Sequence, residues 1–345
     1  MSDDWNRLNR QLKREEEVRR TRLHVGILVM SILLFGVGIR MIVGRVANFN
    51  QEDVTAAINE SAELVGETET ERETEASTEK QTEEVFAPDL TELSAQIEGM
   101  LADSSGVWSV YLKDLDTDES FTINSQSMYA ASLIKLYVMM SAYENMDDLV
   151  ENYCRVNRVN EIDAQATIED RLYTMITASR NESYNELVRL HSSENSFTQG
   201  ARLINSYIAE NGFLSTGVHS TLHPSDSSFE STGEGINETT VEDCGALLEM
   251  IYDGTCVSEE ASEEMLNLLL QQDVTTKIPA GVPDGIPVAN KTGETEEETH
   301  DAAIVFGEKT DYILCVMSSE VDEMGVGNAE NLIVEVSELV YEFLN

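Results

Sequence analysis

Basic residues are what this 345-residue chain lacks most: 22 Lys and Arg stand against 65 Asp and Glu, a formal net charge of −43. The shortage is uneven. Residues 1–45 carry 9 basic and 5 acidic side chains, which leaves 13 basic against 60 acidic for the remaining 300. A body of that sign repels a phosphate backbone, so nucleic acid is excluded as a partner. Cysteine is sparse too. Cys154, Cys244, Cys256 and Cys315 show neither C-x-x-C nor metal-ligand spacing, so no bridge and no metal site is assigned. Cys315, inside the strand-like "YILCVM", reads as a small core residue. Internal repeats are absent, and no motif asks for a cofactor.

The basic residues that do occur cluster at Arg7, Arg10, Lys13, Arg14, Arg19, Arg20 and Arg22, within segment 1–22. Directly after them residues 23–44 form an apolar run, uncharged from 25 to 39, with Arg40 close enough to its end to reach headgroups. About 20 apolar residues span a bilayer core. No small-x-small cleavage site follows, so an uncleaved transmembrane anchor is expected rather than a signal peptide. A basic flank before it and an acidic body after it predict a cytoplasmic N-terminus and an extracytoplasmic remainder in the cell membrane. Residues 45–86, including "GETETERETEASTEKQTEE", hold almost nothing apolar to bury and read as a disordered acidic tether.

Residues 87–345 read as one α+β domain. "DLTELSAQIEGMLAD" (89–103) has helical apolar spacing, and "GVWSVYLKDLDTDESFTIN" reads as two strands around a polar turn at 116–119. A mostly helical stretch follows from about 147 to 270. Strand signals return in "IPVANKTG", "DAAIVFG" and "DYILCVMSS", and an amphipathic helix closes the chain. Strands at both ends predict one antiparallel sheet covered by the terminal helices, with a helical region inserted in sequence.

Within "AASLIKLYVM" (130–139), Lys135 is the one charge in a core-like segment, and Ser132 lies three positions before it, on the same helical face. Burial drives a lysine towards its neutral, basic form, and a neutral amine one turn from a hydroxyl activates that hydroxyl for attack. Ser-x-x-Lys alone carries little weight: "STEK" (77–80) repeats it inside the tether, and a core lysine that snorkels to the surface would look the same. Two further motifs add to it. "MITASRNESYNEL" (175–187) sets Ser179 and Asn181 in a polar break between helical stretches, and "KTGE" (291–294) follows the strand-like "IPVAN".

Together and in this order, the three motifs resemble the active-site signature of class A β-lactamases and penicillin-binding proteins. "TTVEDCGALLEMIYDG" (239–254) and "KIPAGVPDGIPVANKTGE" (277–294) are similar to segments of the same family. The resemblance implies a β-lactamase/D,D-peptidase-like fold and a serine acyl hydrolase acting on β-lactams or peptidoglycan-like peptides. It implies Ser132 as the acylated nucleophile and Lys135 as its base, with Ser179 and Lys291 passing a proton to the leaving nitrogen. Asn181 would hold a substrate amide, Thr292 and Lys277 a carboxylate. The N–H groups of Ser132 and Glu294, beside Gly293, would receive the oxyanion, with the Glu294 side chain of no account.

The sequence departs from that family in two places. Arg180 stands in the middle of Ser-x-Asn, and the stretch where the family carries Glu-x-x-x-Asn has no Glu with an Asn four positions on. The stretch "GVHSTLHPSDSSFESTGEGINETT" (217–240) has Asp226, Glu230 and Glu234 as candidates to activate a deacylating water. Slow hydrolysis of an acyl-enzyme is therefore expected, which makes a cell-wall D,D-peptidase or a non-turnover β-lactam or muropeptide sensor the alternative readings. His219 and His223 have i, i+4 spacing, but Pro224 argues against a helix and so against a metal site there.

Overall fold

A computed structural model describes residues 89–223, 228–321 and 326–345, all within one compact unit, Glu84–Asn345. The expected cytoplasmic segment, membrane anchor and acidic tether lie outside the described residues. Among the described residues, no helix is long and apolar enough to cross a membrane.

The domain opens with α1 (Leu90–Ala102), whose first turn is capped by the Asp89 carboxylate accepting from the Thr91 N–H at 3.0 Å. Leu90, Leu93, Ile97 and Leu101 recur at helical spacing and are its buried stripe. Strands β1 (Val107–Asp114) and β2 (Ser120–Ile123) form a hairpin, and the short β3 (Met128–Tyr129) leads into a single 3₁₀ turn, Ala131–Leu133. The helical region runs through α2 (Ile134–Glu144), α3 (Met146–Asn157), α4 (Glu161–Ile176), α5 (Asn181–Leu190) and α6 (Phe197–Glu210). Further along the chain come β4 (Glu238–Thr239), α7 (Val241–Tyr252) and α8 (Glu259–Leu269). Strands β5 (Val288–Glu294), β6 (Thr299–Val305) and β7 (Tyr312–Ser319) and helix α9 (Val326–Leu344) complete the chain.

The main sheet has the order β2-β1-β7-β6-β5 and is antiparallel throughout. Chain ends that pair β1 with β7 close the domain around the inserted helices, as the sequence pattern predicts. One sheet face packs Val110, Leu112, Leu314 and Val316 against Leu93 and Ile97 of α1 and Ile333, Val336 and Val340 of α9. The other packs Ala302, Ile304, Cys315 and Met317 into a larger core that runs through α2 to the helical region. Each such fully buried aliphatic side chain contributes about 1.5–3 kcal/mol. Helix α2 is buried on nearly every side, from Ile134 to Ala142, which puts the one lysine of this segment inside the protein.

Two local differences from the sequence pattern matter. Among the described residues of 211–237 none is helical: apart from isolated bridges at Gly217–Glu238 and Ser220–Ser231 they are irregular, and Ser220 and Leu222 are held by Tyr184 and Asn185 of α5. Ser132 lies in the 3₁₀ turn ahead of α2 rather than inside an α-helix. At about three residues per turn, positions i and i+3 stack directly over one another, which favours a short Ser132–Lys135 contact.

Candidate active site

The site forms where the α2 entry, the α4–α5 break and edge strand β5 meet. The segment before Ser132 is fixed from two sides. The Ala130 N–H donates to the Asn237 carbonyl at 2.9 Å, and β3 pairs with β4. On the sheet side, His300 Nε2 lies 3.0 Å from the Tyr129 carbonyl, while its Nδ1 accepts from the Ser318 N–H at 3.2 Å, so Nε2 carries the proton. Burial pushes the His300 imidazole down to about 4, which keeps it neutral. Gly293 fits here because a Cβ would lie 2.9 Å from the His300 ring, 3.2 Å from the Ala130 carbonyl and 3.3 Å from the Ala131 Cβ. Ala131 itself has φ +44° and Ser179 φ +53°, costly conformations for residues with a Cβ, and both adjoin the reactive groups.

Lys135 is fully buried. Its Nζ lies 2.9 Å from Ser132 Oγ, 2.6 Å from the Ser179 carbonyl, 3.1 Å from Ser179 Oγ and 2.7 Å from Asn181 Oδ1. Asn181 is oriented by its other end, where Nδ2 donates to the His223 carbonyl at 3.0 Å. The Ser179 carbonyl and Asn181 Oδ1 can only accept. A neutral amine has two N–H groups and spends both there, leaving its lone pair to the Ser132 hydroxyl. Burial, and then the charge of Lys291, hold Lys135 well below the ordinary lysine range, with Glu182 opposing them. An amine in that state can take the Ser132 proton.

Lys291 is equally buried and donates to Ser179 Oγ at 2.9 Å and to the Thr292 carbonyl at 2.9 Å. The Ser179 hydroxyl thus bridges two lysines. Burial brings Lys291 down to about 7, against the pull of Asp301. Asp301, paired across the strands with Thr292, is raised to about 6 by burial. Its carboxylate accepts from Asn290 Nδ2 at 2.9 Å and from the Ile278 N–H at 3.0 Å.

Thr292, Gly293 and Glu294 end strand β5. Lys277, at the entry to a 3₁₀ turn (Ile278–Gly281), is fully buried and donates to the Gly293 and His300 carbonyls, each at 3.3 Å. The predicted residues Ser132, Lys135, Ser179, Asn181 and Lys291 therefore form one hydrogen-bonded cluster, and Lys277 joins Thr292, Gly293 and Glu294 alongside it.

The loop after α6 is pinned against this cluster by Asn185, one helical turn beyond Asn181. Asn185 Nδ2 donates to the Leu222 carbonyl at 3.1 Å, and its Oδ1 accepts from the Leu222 N–H at 2.9 Å. The loop residue clamped by Asn185 is thus a leucine, buried and without a titratable group, and the next residue, His223, is the one whose carbonyl meets Asn181. Glu230 is turned elsewhere, 2.5 Å from Arg189, and Glu234 pairs with Arg202 at 3.0 Å. Both carboxylates are held by arginines on the outside of the helical region; Asp226 lies outside the described residues. His219 Nδ1 lies 3.1 Å from Thr232 Oγ1, and His223 stacks on Phe229 with ring centroids 5.6 Å apart. Sequence reading missed Asn185, His300 and Asp301. Asn185 was detectable as a second asparagine at i+4 on the Asn181 face. His300 and Asp301 were visible only as polar residues in an otherwise apolar strand.

The sequence profile of the β-lactamase enzyme family matches residues 92–344. Among solved structures, that of PBP-A is similar with a TM-score of 0.59 at 21% identity, covering 73% of this chain and 96% of that one. A β-lactamase from Sphaerobacter thermophilus DSM 20745 gives 0.58 at 19% identity, covering 73% and 96%. A class A β-lactamase described as the last common ancestor of Gram-negative bacteria gives 0.59 at 18% identity, covering 73% and 99%. Identities this low establish the fold alone. No curated protein sequence matches the chain. The antiparallel sheet with its inserted helices and the profile match over nearly the whole described domain place this chain in the β-lactamase enzyme family.

Proposed function

We propose that the chain is a membrane-anchored, extracytoplasmic serine acyl hydrolase that forms an acyl-enzyme on Ser132 with β-lactams or D-Ala-D-Ala-like peptides and releases it slowly. The observation that carries the reading is the Lys135 amine, buried, 2.9 Å from Ser132 Oγ, with its two N–H groups committed to oxygens that only accept. Lys135 takes the Ser132 proton as Oγ bonds to the substrate carbonyl carbon. Charge developing on the carbonyl oxygen is met by the N–H groups of Ser132 and Glu294. The proton then passes from Lys135 through the Ser179 hydroxyl, held by Lys291, to the leaving nitrogen as the C–N bond breaks. Asn181 holds the amide side of the substrate, and Thr292 and Lys277 its carboxylate.

Hydrolysis of the resulting ester needs a water and a second base. Among the described residues, Asn185 clamps Leu222, which has no group to act as a base, and Glu230 and Glu234 are paired with arginines, which favours a D,D-peptidase or a slow, sensor-like acceptor over an efficient β-lactamase. A leucine-to-glutamate variant of PBP-A was solved as an acyl-enzyme complex with penicillin G, at 21% identity to this chain, and that likeness supports penicillin as the first probe. Intact mass after penicillin exposure should show one persistent adduct on the wild type and none on Ser132→Ala. An adduct that forms equally on the variant overturns the assignment. The anchor and orientation are read from residues 1–44, and protease added to intact cells should cut the acidic tether and release the domain. Release only after lysis reverses the topology.

A further inference from the structure

The Lys277 ammonium is buried yet loosely held. Its side chain is 1% exposed, its two hydrogen bonds to main-chain carbonyls are both long at 3.3 Å, and its one ion-pair partner among the described residues is Glu294 Oε2 at 3.7 Å. Asp301 is also near enough to be felt electrostatically, but both of its oxygens are engaged, by Asn290 and the Ile278 N–H. Glu294 is different: its side chain is 57% exposed, and no hydrogen bond fixes its carboxylate among those described. Side chains alternate along a strand, so Thr292 and Glu294 share one face of β5. The ammonium that touches Glu294 therefore serves the same face as the Thr292 hydroxyl.

We infer that the Glu294 side chain is a built-in competitor for the carboxylate subsite formed by Thr292 and Lys277, so that the site disfavours substrates with a free carboxylate relative to those carrying a neutral amide or ester there. This rests on the acyl-enzyme reading above, and it assigns a role to a side chain that the family resemblance leaves idle. An incoming carboxylate must displace Glu294 from Lys277 to gain that ion pair, so the two anions compete for one cation. Because Glu294 is exposed and can swing into solvent, the penalty is set by the fraction of molecules in which it still covers Lys277.

The test compares acylation by benzylpenicillin, which carries the carboxylate, with acylation by its methyl ester, which does not. Intact-mass kinetics are read on the wild type, on Glu294→Gln, and on Glu294→Gln combined with Lys277→Met. Glu294→Gln is nearly isosteric and exposed, so the fold is kept. The ratio of the acid's rate constant to the ester's should rise about tenfold in Glu294→Gln, as for a subsite left uncovered in roughly one molecule in ten. The gain should vanish when Lys277→Met is added. Adducts from both probes with an unchanged ratio overturn the inference and leave the acyl-enzyme reading intact. A gain that survives Lys277→Met overturns it as well. No adduct from either probe on any variant overturns both readings.

Discussion

Two regions of the domain treat lysine in opposite ways. Lys113, on β1, lies 2.5 Å from Asp118 and 2.6 Å from Glu249, and its side chain is 13% exposed. Burial pulls its ammonium down, but the two carboxylates outweigh that and raise it above the ordinary lysine range. At the β5 edge, Lys135 and Lys291 are buried more deeply, contact only neutral oxygens, and are both lowered. In a chain with 65 acidic residues, carboxylates are plentiful, so their absence from these two ammonium groups is a property of the fold. A lysine given an anion becomes a fixed charge; a lysine given only dipoles and no water becomes a base.

The harshest break of that contrast removes the base itself. Lys135→Ala should cut the penicillin acylation rate by roughly 100- to 10,000-fold, read by adduct formation over time. A subtler break gives Lys135 the anion it lacks. Asn181→Asp places a carboxylate where Oδ1 now lies 2.7 Å from Nζ, which raises the lysine and favours its charged form. Acylation near neutral pH should fall by about 100-fold, with part of the loss recovered as the pH is raised. A variant whose pH profile does not move upward would show that the Lys135 proton is not the controlling one.

Leu222→Glu sharpens the comparison from the other side by adding a carboxylate near the cluster but on the clamped loop. It should shorten the life of the penicillin adduct about tenfold or more, followed by intact mass after removal of free penicillin. An unchanged lifetime would place the deacylating water elsewhere.

The smallest effects are on stability, and the two lysines should differ in sign with pH. Lys291 titrates near 7 when folded and near 10.5 when unfolded, so between those values the unfolded chain holds the extra proton and stability rises with pH. Lys291→Met should flatten that slope in denaturant titrations between about pH 7 and 10. The folded value of Lys113 is raised, so its contribution is fully present below about 10.5 and is lost only above it. Lys113→Met should therefore lower stability by an even ~1 kcal/mol across the same range and leave acylation unaltered.

Much of this was legible in the chain before folding. The period-2 and period-3.6 patterns mark the strands and terminal helices because a sheet face and a helix stripe must each bury apolar side chains. Ser132, Lys135, Ser179, Asn181 and Lys291 stood out because they fall within short motifs of fixed residue types, and the structure joins them in one hydrogen-bonded cluster; Lys135 announced itself as a lone charge in an apolar run. His300 gave no comparable signal. Its contact with the Tyr129 carbonyl joins positions 171 residues apart, and no local pattern encodes such a distance.

Tertiary structure alone decided the electrostatics. The sequence determined that a lysine would sit one turn from a serine and that residues 217–240 would hold no Glu-x-x-x-Asn. It could not determine that Lys135 would meet only neutral oxygens, that Glu230 would be drawn off to Arg189, or that Glu294 would stand over Lys277. Proton affinity depends on which dipoles and charges lie within a few ångströms and on how much water is excluded, and in this protein those neighbours come from segments brought together only when β5, the α4–α5 break and the loop after α6 close on one another.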